Sequence, residues 1–171
     1  MKTKFLLIMA VSLFISFMLY GCGDTYKDVV RIHIRANSNT EIDQSIKLKV
    51  RDNIVSYITP LIIDAENLDE VKMILSSNIS GIESVADSVL IENGFKYTSH
   101  AYLDNEYFPT RAYGEYSFPA DFYDALIINL GQGVGDNWWC VAYPPLCFVG
   151  EGEGNVVYKS KILEIIEKYF G

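Results

Sequence analysis

A run near the end of the chain, residues 137–148, constrains the fold more than any other segment. It holds both tryptophans, two of the three cysteines and a Pro-Pro pair. Proline fixes φ and restricts the residue before it, so the pair at 144–145 ends any strand or helix that reaches it. We therefore expect a strand over residues 138–143 and then a bend, with Cys140 and Cys147 well placed to close a small disulfide loop in an oxidising compartment.

The two cysteines leave other readings open. A metal pair normally has two to four residues between its cysteines and a second cluster of ligands, and neither is found here. A cysteine nucleophile needs an imidazole beside it, and the chain has only His33 and His100. Two reduced, buried thiols are the remaining alternative. We expect a disulfide and predict no catalytic, metal or cofactor site.

The N-terminus has the order of an export signal: Lys2 and Lys4, then an apolar run over residues 5–20, then small residues. At about 1.5 Å per residue the apolar run reaches roughly 24 Å, which is short of a ~30 Å hydrocarbon layer. Cleavage is therefore favoured over a permanent span. The sequence before Cys22 is similar to a lipobox, which predicts lipidation of Cys22. An uncleaved anchor and simple secretion stay open.

Composition limits the partners. The formal net charge is −8, so nucleic acid and anionic membrane surfaces are repelled and nucleic-acid binding is not expected. Half of the residues are hydrophobic, which suits a packed domain. We divide the chain into an export signal over residues 1–22, a short tether over 23–28 and a single domain over 29–171.

Hydrophobic periodicity places the main elements. Residues 29–36 alternate as a strand, with Val30, Ile32 and Ile34 on one face and Arg31, His33 and Arg35 on the other. Ser38 and Glu41 have capping-box spacing, so a first helix is expected from there to about Tyr57, ending before Pro60. Its outer face is expected to carry Lys47, Lys49 and Arg51. Asn67 and Glu70 start a second, long helix that ends at Gly94, with a weak point at Gly81.

The second half of the chain indicates strands. Residues 95–103 alternate, 123–130 suit a central strand, and 113–116 suit a turn. A closing helix is expected over residues 156–170. The order predicts an α+β fold: an antiparallel or mixed β-sheet with about three helices packed largely on one face.

Two further motifs bear on binding. The glycines at 131, 133 and 135 lack the following helix that a phosphate loop requires, so a loop between strands is expected. Arg31, His33 and Arg35 form a basic stripe, which is either an ordinary solvated sheet face or a recognition patch. Together with Trp138 and Trp139, the stripe is our candidate partner surface.

Four segments together resemble the stage II sporulation protein R family of endospore formers. They are residues 30–38, 47–52 and 108–114, and the Trp-Trp-Cys run with its Pro-Pro pair at 137–148. The resemblance implies a non-enzymatic signal that the forespore exports across the septal membrane. It also implies a partner, the membrane-embedded aspartic protease of the mother cell that processes the sigma-E precursor.

Three functions therefore compete. The resemblance favours an exported activator of that protease, located in the septal intermembrane space and held to the membrane through its N-terminal segment or a lipid. A lipoprotein that binds a small ligand through the aromatic residues is the first alternative. A cysteine hydrolase is the second, and it requires His33 or His100 within hydrogen-bond reach of Cys140 or Cys147.

Overall fold

The computed structural model of the chain describes residues 29–113 and 116–144. The bounds of its elements are β1 Val30–Arg35, α1 Glu41–Ile62, α2 Leu68–Ser77, α3 Ile79–Glu92, β2 Ser99–Phe108, β3 Arg111–Tyr113, β4 Tyr116–Phe118, β5 Asp121–Leu130 and β6 Asn137–Tyr143. The predicted export signal, tether and closing helix lie outside the described residues, so these stay predictions.

Four strands form one mixed sheet in the order β2-β5-β1-β6. β1 runs parallel to β5 and antiparallel to β6, while β2 runs antiparallel to β5. A parallel pair needs a long connection, and the three helices together with β2 to β4 supply it between β1 and β5. β3 and β4 pair as a separate hairpin in which Tyr113 lies opposite Tyr116. The predicted α+β class with a mixed sheet is confirmed.

The four-stranded sheet has two differently covered faces. β1 turns Val30, Ile32 and Ile34 toward the helices: Asp124 lies beside Val30 in the register, and Lys72 of α2 binds the Asp124 carboxylate. The alternate residues of β1 point to the opposite side, where the hairpin of β3 and β4 lies. We call these two sides the helix face and the hairpin face.

Helix α1 begins and ends later than the sequence indicates. Thr40 rather than Ser38 is the N-cap, and its hydroxyl accepts a hydrogen bond from the backbone N–H of Asp43 at 3.3 Å. Pro60 lies inside the helix, which continues to Ile62. The proline removes one helical hydrogen bond, but Ile58 and Ile62 are buried in the core and hold the last turn in place. The predicted end near Tyr57 is wrong.

The single long helix predicted after residue 67 is two helices. Asn78 interrupts it with a φ of −107° and a ψ of 10°, and its side-chain amide donates to the carbonyl of Ile74 at 2.8 Å. Asparagine competes with helical bonding in this way. The predicted weak point, Gly81, is instead a site of close approach. A Cβ there would lie 2.2 Å from the hydroxyl oxygen of Tyr57.

Three strand predictions are confirmed and one is displaced. The run over residues 29–36 is β1. The run over residues 123–130 is β5, which lies inside the sheet between β2 and β1, and the run over 138–143 is β6. The strand predicted over 95–103 is β2, which begins at Ser99 and continues to Phe108. Phe95 and Tyr97 precede it and pack on each other, with ring centroids 5.2 Å apart.

Candidate functional site

Arg31 lies at the centre of the hairpin face and is fully buried. Its guanidinium carbon is 4.5 Å from the centroid of the Phe108 ring. The rings of Tyr123, Phe118 and Tyr113 surround it at 5.1, 5.4 and 5.6 Å. The faces of aromatic rings attract cations. Four rings therefore surround this buried charge in the place where a carboxylate would be expected.

Two oxygens bind the guanidinium. Nε donates to the carbonyl of Cys140 at 3.1 Å, and Nη2 donates to the hydroxyl of Tyr113 at 2.9 Å. The Tyr113 hydroxyl donates in turn to the carbonyl of Trp139 at 3.1 Å. Nη1 has no hydrogen-bond partner among the described residues. Burial lowers the pKa of Arg31, but a guanidinium keeps its proton at neutral pH. Arg31 thus fastens β3 to both β1 and β6.

His33, Arg35 and Glu106 form a second polar group on the hairpin face. Nδ1 of His33 is 2.6 Å from one carboxylate oxygen of Glu106, and Arg35 binds the other oxygen. Burial lowers the pKa of His33 to about 4, and the positive charges of Arg35 and Lys47 lower it as well. The neutral ring donates from Nδ1, since an ionised carboxylate only accepts. Nε2 is buried and has no hydrogen-bond partner within the described ranges.

The basic stripe is therefore not a solvated face. Arg31 and His33 are buried, and only Arg35 is partly exposed. The expectation of an exposed stripe is wrong for Arg31 and His33, because the hairpin and the ring of Phe108 cover this side of β1. Alternation along a strand shows that two faces differ, but it does not show which of them water reaches.

The two tryptophans of the candidate partner surface lie on opposite faces of β6. Trp139 pairs with His33 in the register and so lies on the hairpin face, where the guanidinium of Arg111 is 4.5 Å from its ring. Trp138 pairs with Ile34 on the helix face, and the guanidinium of Arg51 is 5.5 Å from its ring. Both tryptophans are partly buried. They do not form one continuous surface with Arg31 and His33.

The register separates Cys140 from His33. Cys140 lies opposite Ile32 and therefore on the helix face, whereas His33 is on the hairpin face. His100 is exposed on β2, and its Nδ1 lies 3.1 Å from a Glu83 carboxylate oxygen. A hydrolase built on Cys140 and His33 is thus excluded. Cys140 is buried and disulfide-bonded, but Cys22 and Cys147 lie outside the described residues, so lipidation and the pairing with Cys147 stay predictions.

The glycine segment at 131–135 links β5 to β6 and docks on the loop that follows β1. Gly131 and Gly133 have φ values of 56° and 62°, which favour glycine. The backbone N–H of Gln132 donates to Oδ1 of Asn37 at 3.0 Å. The backbone N–H of Gly135 donates to the carbonyl of Ala36 at 2.8 Å. β6 follows this segment, so the helix that a phosphate loop requires is missing, as expected.

Two buried charges near the start of α1 were missed from the sequence. Lys47 was expected on the outer face, but it is buried and donates to the carbonyl of Asp136 at 2.8 Å. Asp43 is buried too and accepts from the hydroxyl of Tyr97 at 2.6 Å. The sequence contained a signal for both. Asp43 and Lys47 are spaced so that they share one face of the helix with the buried Val50. They tie the helix to loops at this end of the sheet.

Residues 29–113 and 116–144 contain neither a candidate metal cluster nor a helix suited to span a membrane. No group of three or more His, Cys, Asp or Glu side chains there could hold a metal ion. None of the helices in this part of the chain combines the length and apolar character needed to cross a membrane.

Comparison with known proteins gives the family. A family model described as stage II sporulation protein R (spore_II_R) matches residues 26–153. Stage II sporulation protein R of Bacillus subtilis (strain 168) is 34% identical over 139 residues, which are 81% of this chain and 62% of that protein. This chain thus spans less than two thirds of that relative's length. No solved structure matches the chain. Because the family model covers more than half of its residues, the chain belongs to the stage II sporulation protein R family.

Proposed function

We propose that this protein is an exported sporulation signal that activates the membrane-embedded aspartic protease of the mother cell, which processes the sigma-E precursor. Membership of the stage II sporulation protein R family, matched over residues 26–153, carries the proposal. The resemblance of the run at 137–148 to that family implies this activity.

A role in binding rather than in catalysis is supported by the polar side chains of the hairpin face. Glu106 binds His33 and Arg35. Arg31 donates to the carbonyl of Cys140 and to the hydroxyl of Tyr113. Cys140, whose side chain points to the helix face, is separated by the sheet from the imidazole of His33. These groups hold strands together, and no nucleophile and base meet among them.

The ligand-binding alternative loses its main support because aromatic side chains that it needs already contact Arg31 inside the protein. It relied on aromatic side chains in the second half of the chain to line a pocket. Four of those rings, belonging to Phe108, Tyr113, Phe118 and Tyr123, instead surround the guanidinium of Arg31. These four rings are therefore occupied by a structural contact and do not favour a ligand pocket.

The proposal includes a route across the membrane. The forespore exports the protein through the signal at residues 1–22, and the domain acts from the septal intermembrane space. A lipid on Cys22, or retention of the apolar segment, keeps the protein close to the partner membrane. The Cys140–Cys147 disulfide forms in that oxidising compartment.

Activation by binding requires a preference for one state of the protease. The protein shifts the protease toward its active form only as far as it binds that form more tightly. A preference of about tenfold shifts the equilibrium by about 1.4 kcal/mol. The partner must therefore offer a contact that is complete only in its active arrangement.

The test is reconstitution in a bacterium that does not sporulate. Cells produce the sigma-E precursor and its protease together with one of three versions of this protein: the full-length chain, a chain lacking residues 5–20, or the Cys22→Ser variant. Immunoblotting of the precursor gives the processed fraction. We expect processing with the full-length chain and none with the chain that is not exported.

Controls separate the parts of the proposal. A catalytically inactive protease must abolish processing, and the protein without any protease must give none. Loss of processing in Cys22→Ser, with export preserved, indicates that the lipid is needed; unchanged processing favours cleavage or an uncleaved anchor. A folded, exported full-length chain that leaves the precursor intact beside an active protease contradicts the proposed function.

A further inference from the structure

The two halves of the outer edge of β2 differ in whether helix α3 binds their backbone N–H groups. β2 is the outermost strand on its side of the sheet in the described part of the chain. At its start, the backbone N–H of Ser99 donates to the Asp87 carboxylate at 2.6 Å, and the N–H of Ala101 donates to the Glu83 carboxylate at 2.8 Å. Both carboxylates come from α3. They occupy N–H groups that would otherwise pair with another strand.

These two bonds identify the direction of every N–H group in β2. Alternate residues of an antiparallel edge strand direct their N–H groups away from the neighbouring strand. Because the N–H groups of Ser99 and Ala101 leave β5 for α3, those of Leu103, Asn105 and Tyr107 point outward as well. Among the described residues, the Asn105 N–H donates to the carboxylate of its neighbour Asp104, at 2.8 Å.

The second half of this edge is exposed. Asp104, Asn105 and Tyr107 are exposed, and in the described ranges the α3 carboxylates bind the outward N–H groups of Ser99 and Ala101 alone. Tyr107 is 56% exposed and lies against Phe122, which is 61% exposed, with ring centroids 5.6 Å apart. Two large aromatic side chains exposed side by side at a strand edge are typical of an interaction site.

Charge argues against a second copy of this chain as the occupant. Asp104 and Glu106 lie on the same side of β2, the hairpin face. Antiparallel pairing of two copies about Asn105 would place Asp104 of one copy opposite Glu106 of the other. Like charges directly opposite each other destabilise a strand pair. A different strand with a basic side chain opposite Asp104 would instead be attracted to the Asp104 carboxylate.

We propose that residues 103–108 of β2 form a docking edge to which an extended segment of the partner protease adds as a further strand. The segment alternates apolar and basic side chains. Its apolar side chains lie on the helix face against Tyr107 and Phe122, and its basic side chains lie on the hairpin face beside Asp104. Backbone hydrogen bonds give the affinity, and the alternation gives the specificity. The α3 carboxylates close the first half of the edge and so limit the pairing register. This inference rests on the proposed function.

A proline substitution tests the main-chain part of the proposal. Asn105→Pro removes an outward N–H, which an edge strand tolerates because that group is outside the ladder with β5. Asn105→Ala is the matched control, since it loses the same side chain and keeps the N–H. The full-length proteins are titrated into membranes that carry the protease and the precursor. We expect half-maximal processing to need about tenfold more Asn105→Pro than wild type, and Asn105→Ala to stay within about twofold.

Charge reversal tests the proposed contact between Asp104 and a basic side chain of the partner, and it leaves the backbone unchanged. Asp104→Lys should weaken activation about fivefold or more, because the basic side chain opposite now meets a like charge. Glu92→Lys is the control, an exposed acid at the end of α3. Circular dichroism and thermal unfolding of each variant establish that it is folded.

Hydrogen exchange on the wild-type chain tests the docking edge without any substitution. With detergent-solubilised protease added, exchange should slow at the amides of Leu103, Asn105 and Tyr107. The amides of the alternate residues, already bonded to β5, should change little. Membranes prepared without the protease provide the control.

The outcomes distinguish this inference from the proposed function. If wild type does not stimulate processing, the proposed function fails and the docking edge fails with it. If wild type stimulates processing but Asn105→Pro and Asp104→Lys act as wild type does, only the docking edge is overturned. Unchanged exchange at the three outward amides in the bound protein overturns it as well.

Discussion

Replacing Arg31 tests whether a ring-enclosed guanidinium stabilises this fold. Arg31→Met keeps an unbranched side chain and removes the charge. It loses the hydrogen bonds to the Cys140 carbonyl and the Tyr113 hydroxyl, together with the contact to the Phe108 ring. Hydrogen bonds from a charged donor contribute about 1.5 to 3 kcal/mol each, and a buried cation–π contact about 2 kcal/mol. The gross loss is therefore roughly 5 to 8 kcal/mol.

Two terms oppose this loss. Methionine has no charge to desolvate, and it removes the buried Nη1 donor that has no partner among the described residues. Together these terms return about 4 kcal/mol. We expect Arg31→Met to lower the free energy of unfolding by about 2 kcal/mol, within a range of roughly 1 to 4. Arg31→Ala should lower it by about 2 kcal/mol more, because it also leaves a cavity.

Urea unfolding at pH 7, followed by circular dichroism, measures these differences. Arg51→Met is the control: its guanidinium lies near a ring of Trp138 but binds the exposed Asp52, so we expect less than about 1 kcal/mol. Limited proteolysis should cut the β3–β4 hairpin faster in Arg31→Met, since Tyr113 loses its anchor to β1. If Arg31→Met is as stable as wild type or more stable, desolvation outweighs the ring and oxygen contacts, and the reasoning is refuted.

Three other changes have defined effects. Burial raises the pKa of the Asp43 carboxyl, but hydrogen bonds from Ser38, Tyr97 and neighbouring side chains outweigh it and hold the pKa below 3.8. Asp43 therefore stabilises the fold above the unfolded pKa, and this contribution is lost as pH falls through the folded pKa. Asp43→Asn should cost roughly 2 kcal/mol at pH 7 and less below about pH 4. Gly135→Ala should cost about 2 to 3 kcal/mol, because its Cβ would lie 2.3 Å from the carbonyl oxygen of Ser38. Cys147→Ser should cost about 2 to 3 kcal/mol if it opens the predicted disulfide.

Each of these has its own check. Chemical unfolding of Asp43→Asn and wild type at a series of pH values must give converging curves in acid; parallel curves contradict the assignment. Gly94→Ala is the control for Gly135→Ala, since it meets nothing within 4 Å and has a φ of 82°, which costs about 1 kcal/mol. Equal losses at the two glycines would show that the close approach is unimportant. A reductant should destabilise wild type as much as Cys147→Ser does, and peptide mapping identifies the bonded pair.

Local signals in the sequence predicted much of the fold. The alternation of β1 and the apolar run of β5 identified both strands of the parallel pair. The cap of α2 was equally accurate: Asn67 accepts from the backbone N–H of Glu70 at 2.9 Å, and the Glu70 carboxylate accepts from the N–H of Glu66 at 2.8 Å. These features depend on residues close together in the chain, so a single sequence carries them.

The candidate site depends on contacts that a single sequence does not carry. Arg31 and Tyr113 are separated by 82 positions, and nothing near Arg31 shows that a hairpin will cover it. The passage of α1 through Pro60 has the same origin, because Ile58 and Ile62 are buried in the core and hold the last turn. In each case tertiary packing decided between two locally acceptable structures. The exposed edge of β2 likewise follows from strand order, which periodicity does not give.

The buried charges of β1 favour a single register between β1 and β5. A slip of one residue between β1 and β5 would exchange the two faces of β1. Ile32 would then face the hairpin, and Arg31 would enter the helix face, away from the rings that surround it on the hairpin face. Burying an ion without such partners costs several kcal/mol, so the alternation of isoleucine with arginine and histidine favours one register strongly. β5 holds β2 in turn through ten paired positions, from Ser99 opposite Leu130 to Phe108 opposite Asp121. The charges buried on the hairpin face therefore help to fix where the outer edge of β2 lies.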